Sequence, residues 1–193
     1  MRTLHTAAAV FFTALFFTVC TAPAFPQQAS EKKAVGADSG RKLPGYILSV
    51  KLPPGFSKAE VSSTEITTAA GIKTQKSYVS EGDDAVIIIS VVDTGFSEDS
   101  EKSMITALEY ALLNYSSAYS LLSRGTRRIN GNLFLTRRYT FVEGGSDLYT
   151  DLYITHIDTK QFQIQTLGYT EERLDKADLQ ESVHSFTYLV RTR

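Results

Sequence analysis

The period of hydrophobic positions changes several times along this chain. From residue 46 onward, short apolar runs are separated by turn residues, which is the pattern of β-strands. These runs are YILSVKL (46–52), EVSSTEI (60–66), IKTQKSYV (72–79) and DAVIIISVV (84–92). The last run is continuously apolar and β-branched, so it predicts a strand that is buried on both faces of a sheet.

A helical period follows between residues 98 and 119. Met104, Leu108, Leu112 and Tyr115 recur at steps of three or four positions, and acidic residues occupy the first turn. Apolar residues at this spacing form one stripe of a helix, and negative charge near its N-terminus complements the helix dipole. The segment therefore predicts a long central amphipathic helix.

Strand periodicity then returns in four runs, at 120–129, 133–142, 148–157 and 161–170. Short connectors rich in Asn, Gly and Asp separate them, and such connectors favour hairpins. A closing amphipathic helix is predicted over 172–186. The fold class is therefore α+β: a twisted antiparallel sheet, with four strands in a meander, covered by the long central helix and a C-terminal helix.

The N-terminus has the pattern of a secretory signal peptide over residues 1–24. Arg2 gives a short positive region, residues 7–19 are uncharged and apolar, and Ala-Pro-Ala precedes a cleavage point after Ala24. An apolar run of this length suits export better than a membrane span, which needs about 20 residues. We therefore expect an exported protein, periplasmic or extracellular.

The single cysteine, Cys20, leaves a second interpretation open. A cysteine directly after an apolar run can carry a lipid anchor, although Val19 is larger than the residue that usually precedes a lipidated cysteine. Cleavage after Ala24 instead leaves a mature chain with no thiol, which excludes disulfides and cysteine chemistry. Both the lipid-anchored and the simply cleaved form are retained.

Composition places the rest of the chain among ordinary globular proteins. Residues 25–43 are polar and lack an apolar period, so they predict a disordered leader before one α+β domain at 44–190. The 193 residues are 42% hydrophobic and carry a formal net charge of −1. This near-neutral balance argues against a nucleic-acid partner. No second run reaches membrane-spanning length, so no transmembrane segment is expected in the mature chain.

Catalytic motifs are missing from the sequence. It contains neither a nucleophile elbow, a phosphate-binding loop nor a dinucleotide fingerprint. His156 and His184 lie on separate predicted elements, without a third ligand nearby to complete a zinc site. The sequence therefore predicts no catalytic residue, no metal and no cofactor.

A group of arginines is the one candidate for a binding surface. If residues 130–131 form a two-residue turn, Arg124 lies opposite Arg137, and the simplest register of the following hairpin makes Asp151 a diagonal neighbour of Arg137. Two interpretations stay open: a solvated sheet face with cross-strand partners, or a basic patch that meets a partner protein, lipid headgroups or polysaccharide. The group consists of Arg124, Arg127, Arg128, Arg137 and Arg138.

The order of elements resembles the PsbP-like α/β/α sandwich family. The matching features are the opening strand YILSVKLPPGF (46–56), the apolar strand AVIIISVV and the long helix that ends near Tyr119. The turn at 130–132 into LFLTRRYTF, the strand QFQIQTLGYT (161–170) and the closing 183–186 also match. The family includes extrinsic assembly and stabilising subunits, a Ran-binding protein and exported bacterial proteins of unknown role. The resemblance implies a binding or scaffold protein and supplies no catalytic residues.

These observations together predict an exported, non-enzymatic binding or scaffold protein of the cell envelope. Its expected partner is an envelope protein or an anionic surface, met through the sheet or the arginine hairpin. One alternative is a periplasmic carrier of a small apolar ligand, bound in a cleft between 98–119 and the sheet. The other is a lipid-anchored envelope protein attached through Cys20.

Overall fold

A computed structural model describes most of the region predicted to be the folded domain. The predicted signal peptide 1–24, the leader 25–43 and the long helix 98–119 lie outside the described residues. The described part of the chain is dominated by sheet, and it does not bear out a long central helix. The described residues are 46–68, 71–93, 120–143, 145–157 and 159–190.

The main element is a seven-stranded antiparallel sheet with the strand order β2-β3-β4-β8-β7-β6-β5. A separate two-stranded ribbon pairs the first and last strands, β1 and β9. The strands are β1 Tyr46–Ser49, β2 Glu60–Thr68, β3 Gly71–Glu81, β4 Ala85–Asp93, β5 Ser120–Ile129, β6 Asn132–Glu143, β7 Ser146–Ile157, β8 Lys160–Gly168 and β9 Thr187–Val190.

The four-strand meander predicted from the sequence is present. Strands β5, β6, β7 and β8 are neighbours in chain order, and Ile129 pairs with Asn132 across a two-residue turn. Asn130 and Gly131 both have positive φ, at 46° and 86°. Positive φ at both central residues matches a hairpin turn to the twist of its strands, and Asn and Gly adopt it most readily.

The centre of the sheet is buried on both sides, as the apolar run in β4 predicts. Ala85 to Val92 are all buried, and β4 lies between β3 and β8. Alternate side chains form two separate cores. We call the side that includes Ile87 and Tyr153 the helix face, because the helices pack there. The other side, which includes Val86 and Leu152, is the opposite face.

The single closing helix predicted over 172–186 is wrong, since two short helices occupy this region. Helix α1 spans Glu171–Leu174 and helix α2 spans Ala177–His184. Thr170 caps α1, and Lys176 has an extended backbone with ψ of 141°, which ends one helix before the next begins. No helix among the described residues is long and apolar enough to cross a membrane.

The β1–β9 ribbon was not predicted, because β9 has four residues and its partner lies at the other end of the described chain. It packs on the helix face next to the helices. The ring of Phe186 meets those of Phe134 and Phe162 edge-on, with centroids 5.7 Å apart in each pair. The ring of Tyr188 lies 4.5 Å from that of Phe162. Aromatic contacts therefore fix the C-terminal strand to the sheet.

Replacement of Phe186 by alanine tests this anchor. Phe186 is fully buried, so the change removes its contacts and leaves a cavity. We expect the free energy of unfolding to fall by about 3–5 kcal/mol. Urea denaturation followed by circular dichroism measures this free energy. The control is Val61→Ala, because Val61 is 63% exposed and its replacement should change the free energy of unfolding by less than about 0.5 kcal/mol. A loss no larger than that of the control would contradict the assigned packing.

Candidate functional site

The five arginines do not form one patch, because the pleat of the sheet divides them between its two faces. Arg124 pairs with Arg137, as the sequence predicts, and both belong with Arg128 to the opposite face. Arg127 and Arg138 point to the helix face. The division follows from the alternation of side chains along a strand.

The next hairpin has a different register from the one expected. Leu148 lies opposite Phe141, one residue earlier in β6 than predicted. As a result, Asp151 is directly opposite Arg138 and is not the diagonal partner of Arg137. The cause is the turn: β6 continues to residue 143 and β7 begins at 146, so the loop has two residues, with a glycine of positive φ at 145.

Arg138 is bound by three carboxylates on the helix face. Its Nε and Nη2 donate to the two oxygens of Asp151, at 2.6 and 2.8 Å. Nη2 also donates to Asp175 at 2.7 Å, and Nη1 to Glu171 at 3.1 Å. The hydrogen bond from Arg138 lowers the pKa of Asp175 below its ordinary value. The Arg138 side chain is 15% exposed, so this arginine joins α1 to the meander and is occupied by acids of its own chain.

Arg173 forms a second such centre, which sequence reasoning missed. Its Nε donates to Asp84 in the β3–β4 turn at 2.7 Å, and its two terminal nitrogens donate to Asp178 of α2 at 2.8 and 3.0 Å. A Cβ added at Gly168 would lie 3.2 Å from the Arg173 side chain, so a glycine gives this arginine room to pack. The hydrogen bond from Arg173 lowers the pKa of Asp178.

Three arginines remain at the surface, on the edge strand β5. We call Arg124, Arg127 and Arg128 the arginine edge. All three are exposed, as are the other residues from 122 to 128. Arg127 donates to the side-chain oxygen of Gln180 at 2.6 Å, and Arg128 donates to the carbonyl of Gly131 at 3.3 Å. Neither bond involves an opposing charge, so both guanidinium groups keep their positive charge at the surface.

Arg137 differs from the arginine edge in its surroundings. It lies on the next strand inward, is half-buried and donates to the backbone carbonyl of Thr136 at 2.8 Å. It therefore contributes less accessible charge than Arg124 opposite it. Of the five arginines chosen from the sequence, three form an exposed edge, one is half-buried and one is enclosed by acids.

The residues considered for metal or catalytic chemistry are dispersed. His156 lies on β7 and His184 on α2, where burial and the nearby charge of Arg127 lower the pKa of His184. Within the described ranges, no three His, Cys, Asp or Glu side chains come together as a metal site. Cys20 lies outside those ranges. The absence of catalytic, metal and cofactor sites stays a prediction.

The sequence matches no family model and no curated protein. Solved structures give matches of low sequence identity. LpqN, a protein from Mycobacterium tuberculosis involved in cell envelope biogenesis, is 7% identical with a TM-score of 0.46, over 77% of this chain and 86% of LpqN. The cyanobacterial PsbP protein of Synechocystis sp. PCC 6803 is 12% identical with a TM-score of 0.42, over 81% of this chain and 99% of that protein. The second is a PsbP protein, and PsbP-like proteins are the family that the sequence resembles.

A methionine at position 138 tests the structural role of Arg138. Asp151 is 6% exposed, so Arg138→Met leaves a buried carboxylate without its main partner, and we expect a loss of about 3–5 kcal/mol in unfolding free energy. The double variant Arg138→Met/Asp151→Leu removes both charges and should recover most of that loss. Chemical denaturation measures both, with the exposed Arg128→Met as control. Equal stability of the single variant and the wild type would contradict this assignment.

Acid should destabilise the fold through Asp175 and Asp178. Both have pKa values lowered in the folded state by arginine hydrogen bonds, so their contribution is present above the ordinary carboxyl pKa and is lost as pH falls through the lowered values. Unfolding free energy should therefore decline as pH falls below about 4. Urea titrations between pH 2.5 and 7 measure the slope, which should be shallower in Asp175→Asn/Asp178→Asn. The exposed Asp83→Asn serves as control, and an unchanged slope in the double variant would count against the mechanism.

Proposed function

We propose that this chain is an exported, non-enzymatic binding or scaffold protein of the cell envelope. Its binding surface is the arginine edge, Arg124, Arg127 and Arg128, and its partner is an envelope protein that presents an acidic surface. The observation that carries the proposal is the contrast among the five arginines. Arg138 is bound by three carboxylates, whereas the exposed Arg127 and Arg128 donate to an amide oxygen and to a backbone carbonyl, and Arg124 is exposed on the same strand.

The strand itself suits a protein partner. Among the strands that the structure describes, β5 is the last in the sheet, and its residues from 122 to 128 are exposed. An edge strand offers unpaired backbone groups, and long charged side chains on it discourage pairing with strands of the same charge. Guanidinium groups bind carboxylates in a two-point geometry, so an acidic segment is the chemically matched partner.

The distribution of charge along the sheet supports the same surface. β5 carries three arginines and no acidic residue, whereas β2 at the other edge carries Glu60 and Glu65 and no basic residue. An acidic partner is therefore attracted to one edge and repelled by the other. Such asymmetry steers association and sets orientation more than it adds raw affinity.

Export and the type of attachment rest on the N-terminal sequence alone. Cleavage after Ala24 would release the protein into the periplasm or the medium, whereas a lipid on Cys20 would tether it to a membrane. Both forms are compatible with a domain that acts by binding. The alternative carrier site between 98–119 and the sheet falls on residues that the structure does not describe.

Photo-crosslinking in the native envelope tests the arginine edge. A benzoylphenylalanine at Leu122, which is 44% exposed between the arginines and the start of β5, should yield a discrete crosslinked protein. The same probe at Val61 on β2 is the matched control, because that residue is 63% exposed at the acidic edge. The charge reversal Arg124→Glu/Arg128→Glu should reduce the Leu122 crosslink at least about tenfold.

Arg138 is unsuitable for the charge reversal, because its replacement would destabilise the fold by removing the partner of three carboxylates. A crosslink that persists in the reversed variant, or appears equally from position 61, would overturn the proposal. Crosslinks to lipid alone would show that the anionic partner is the membrane surface and would also overturn the protein partner proposed.

A further inference from the structure

A cleft of about 480 Å³ lies between the β1 segment and the main sheet, on the helix face. Leu48, Val50 and Leu52 form one wall, while Ile87 and Ile89 of β4 form the floor. Ser49, Ala59, Tyr78 and Ser80 also line it. Clefts that hold small ligands commonly measure 300–1,000 Å³, so this one has the size of a binding site.

Uneven packing of the ribbon accounts for the space. The β9 side is fixed to the sheet by Phe186 and by Tyr188, whose ring lies 4.5 Å from that of Phe162. The β1 side pairs with β9 and lies over β3 and β4, where Leu48, Val50 and Leu52 are half-buried. The main sheet therefore bounds the cleft on one side, and the β1 segment bounds it on the other.

The walls define the ligand's chemistry. No Asp, Glu, Lys, Arg or His is among the described residues that line the cleft, so a charged ligand would find no opposite charge there. Ser80 is 3% exposed, and it is one of the residues that line the cleft. A hydroxyl in the lining of a mainly apolar cleft can donate a hydrogen bond to a ligand's polar atom or accept one from it.

We infer that this cleft binds a neutral, mainly apolar small molecule that places one hydroxyl or carbonyl group against Ser80. The site is separate from the arginine edge and does not depend on it. It gives the protein a second capacity, that of a ligand carrier.

The test uses two neutral probes that differ by one hydroxyl, 1-naphthol and naphthalene, titrated into the mature chain labelled with ¹⁵N. Wild-type protein should bind both, with amide shifts confined to β1, β3, β4 and residues 50–59, and should bind 1-naphthol about fivefold more tightly. Ser80→Ala should abolish that preference. Ala59→Phe should fill the cleft and weaken both probes at least about tenfold.

Controls separate this site from the arginine edge and from loss of folding. The exposed Ser62→Ala should retain the preference for 1-naphthol, and Arg124→Glu/Arg128→Glu should bind both probes as the wild type does. The dispersion of the amide spectrum reports whether each variant is folded. Three results would overturn the inference: no saturable binding of either probe, shifts centred elsewhere, or unchanged affinity in a folded Ala59→Phe variant.

Discussion

The alternation of side chains between the two faces of a sheet is the constraint on which the arginine chemistry depends. In β6, Arg137 and Arg138 are neighbours in sequence and yet lie on opposite faces. The two-residue loop that contains Gly145 sets the β6–β7 register and brings Asp151 to Arg138. A shift of one residue would move every side chain of a strand to the other face, so this turn decides which arginine is structural.

Two arginine centres then attach the helical segment to the sheet. Helices of four and eight residues have no stability of their own in water, so α1 and α2 depend on tertiary contacts. Leu174 and Leu179 supply buried apolar surface, while Arg138 and Arg173 join the segment to β7 and to the β3–β4 turn. Arg173 is buried and Arg138 is half-buried, and each is bound by carboxylates from more than one element, which leaves little of either guanidinium group for partners.

Local patterns predicted the meander well, since period-two alternation and Asn-Gly chemistry act over a few residues. The pairing of Arg124 with Arg137 followed from the same rules. The features that the sequence did not predict depend on distant residues. Arg173 binds Asp84 across 89 positions, and β9 pairs with β1 from opposite ends of the domain. The break between α1 and α2 could likewise not be predicted locally, because Asp175 between them binds the distant Arg138.

The topology also separates the two surfaces that we assign. The arginine edge lies on β5, whereas the floor of the cleft lies on β4, four positions away in the strand order. At about 4.8 Å per strand this is a distance of roughly 19 Å across a continuously hydrogen-bonded sheet.

A ligand in the cleft contacts the β1 segment and the floor, and the register between β4 and β5 is fixed by paired strands. Coupling between the two surfaces would require a second arrangement of that sheet, because energetic coupling needs an element with two states. Partner binding and ligand binding are therefore expected to be independent properties of one scaffold.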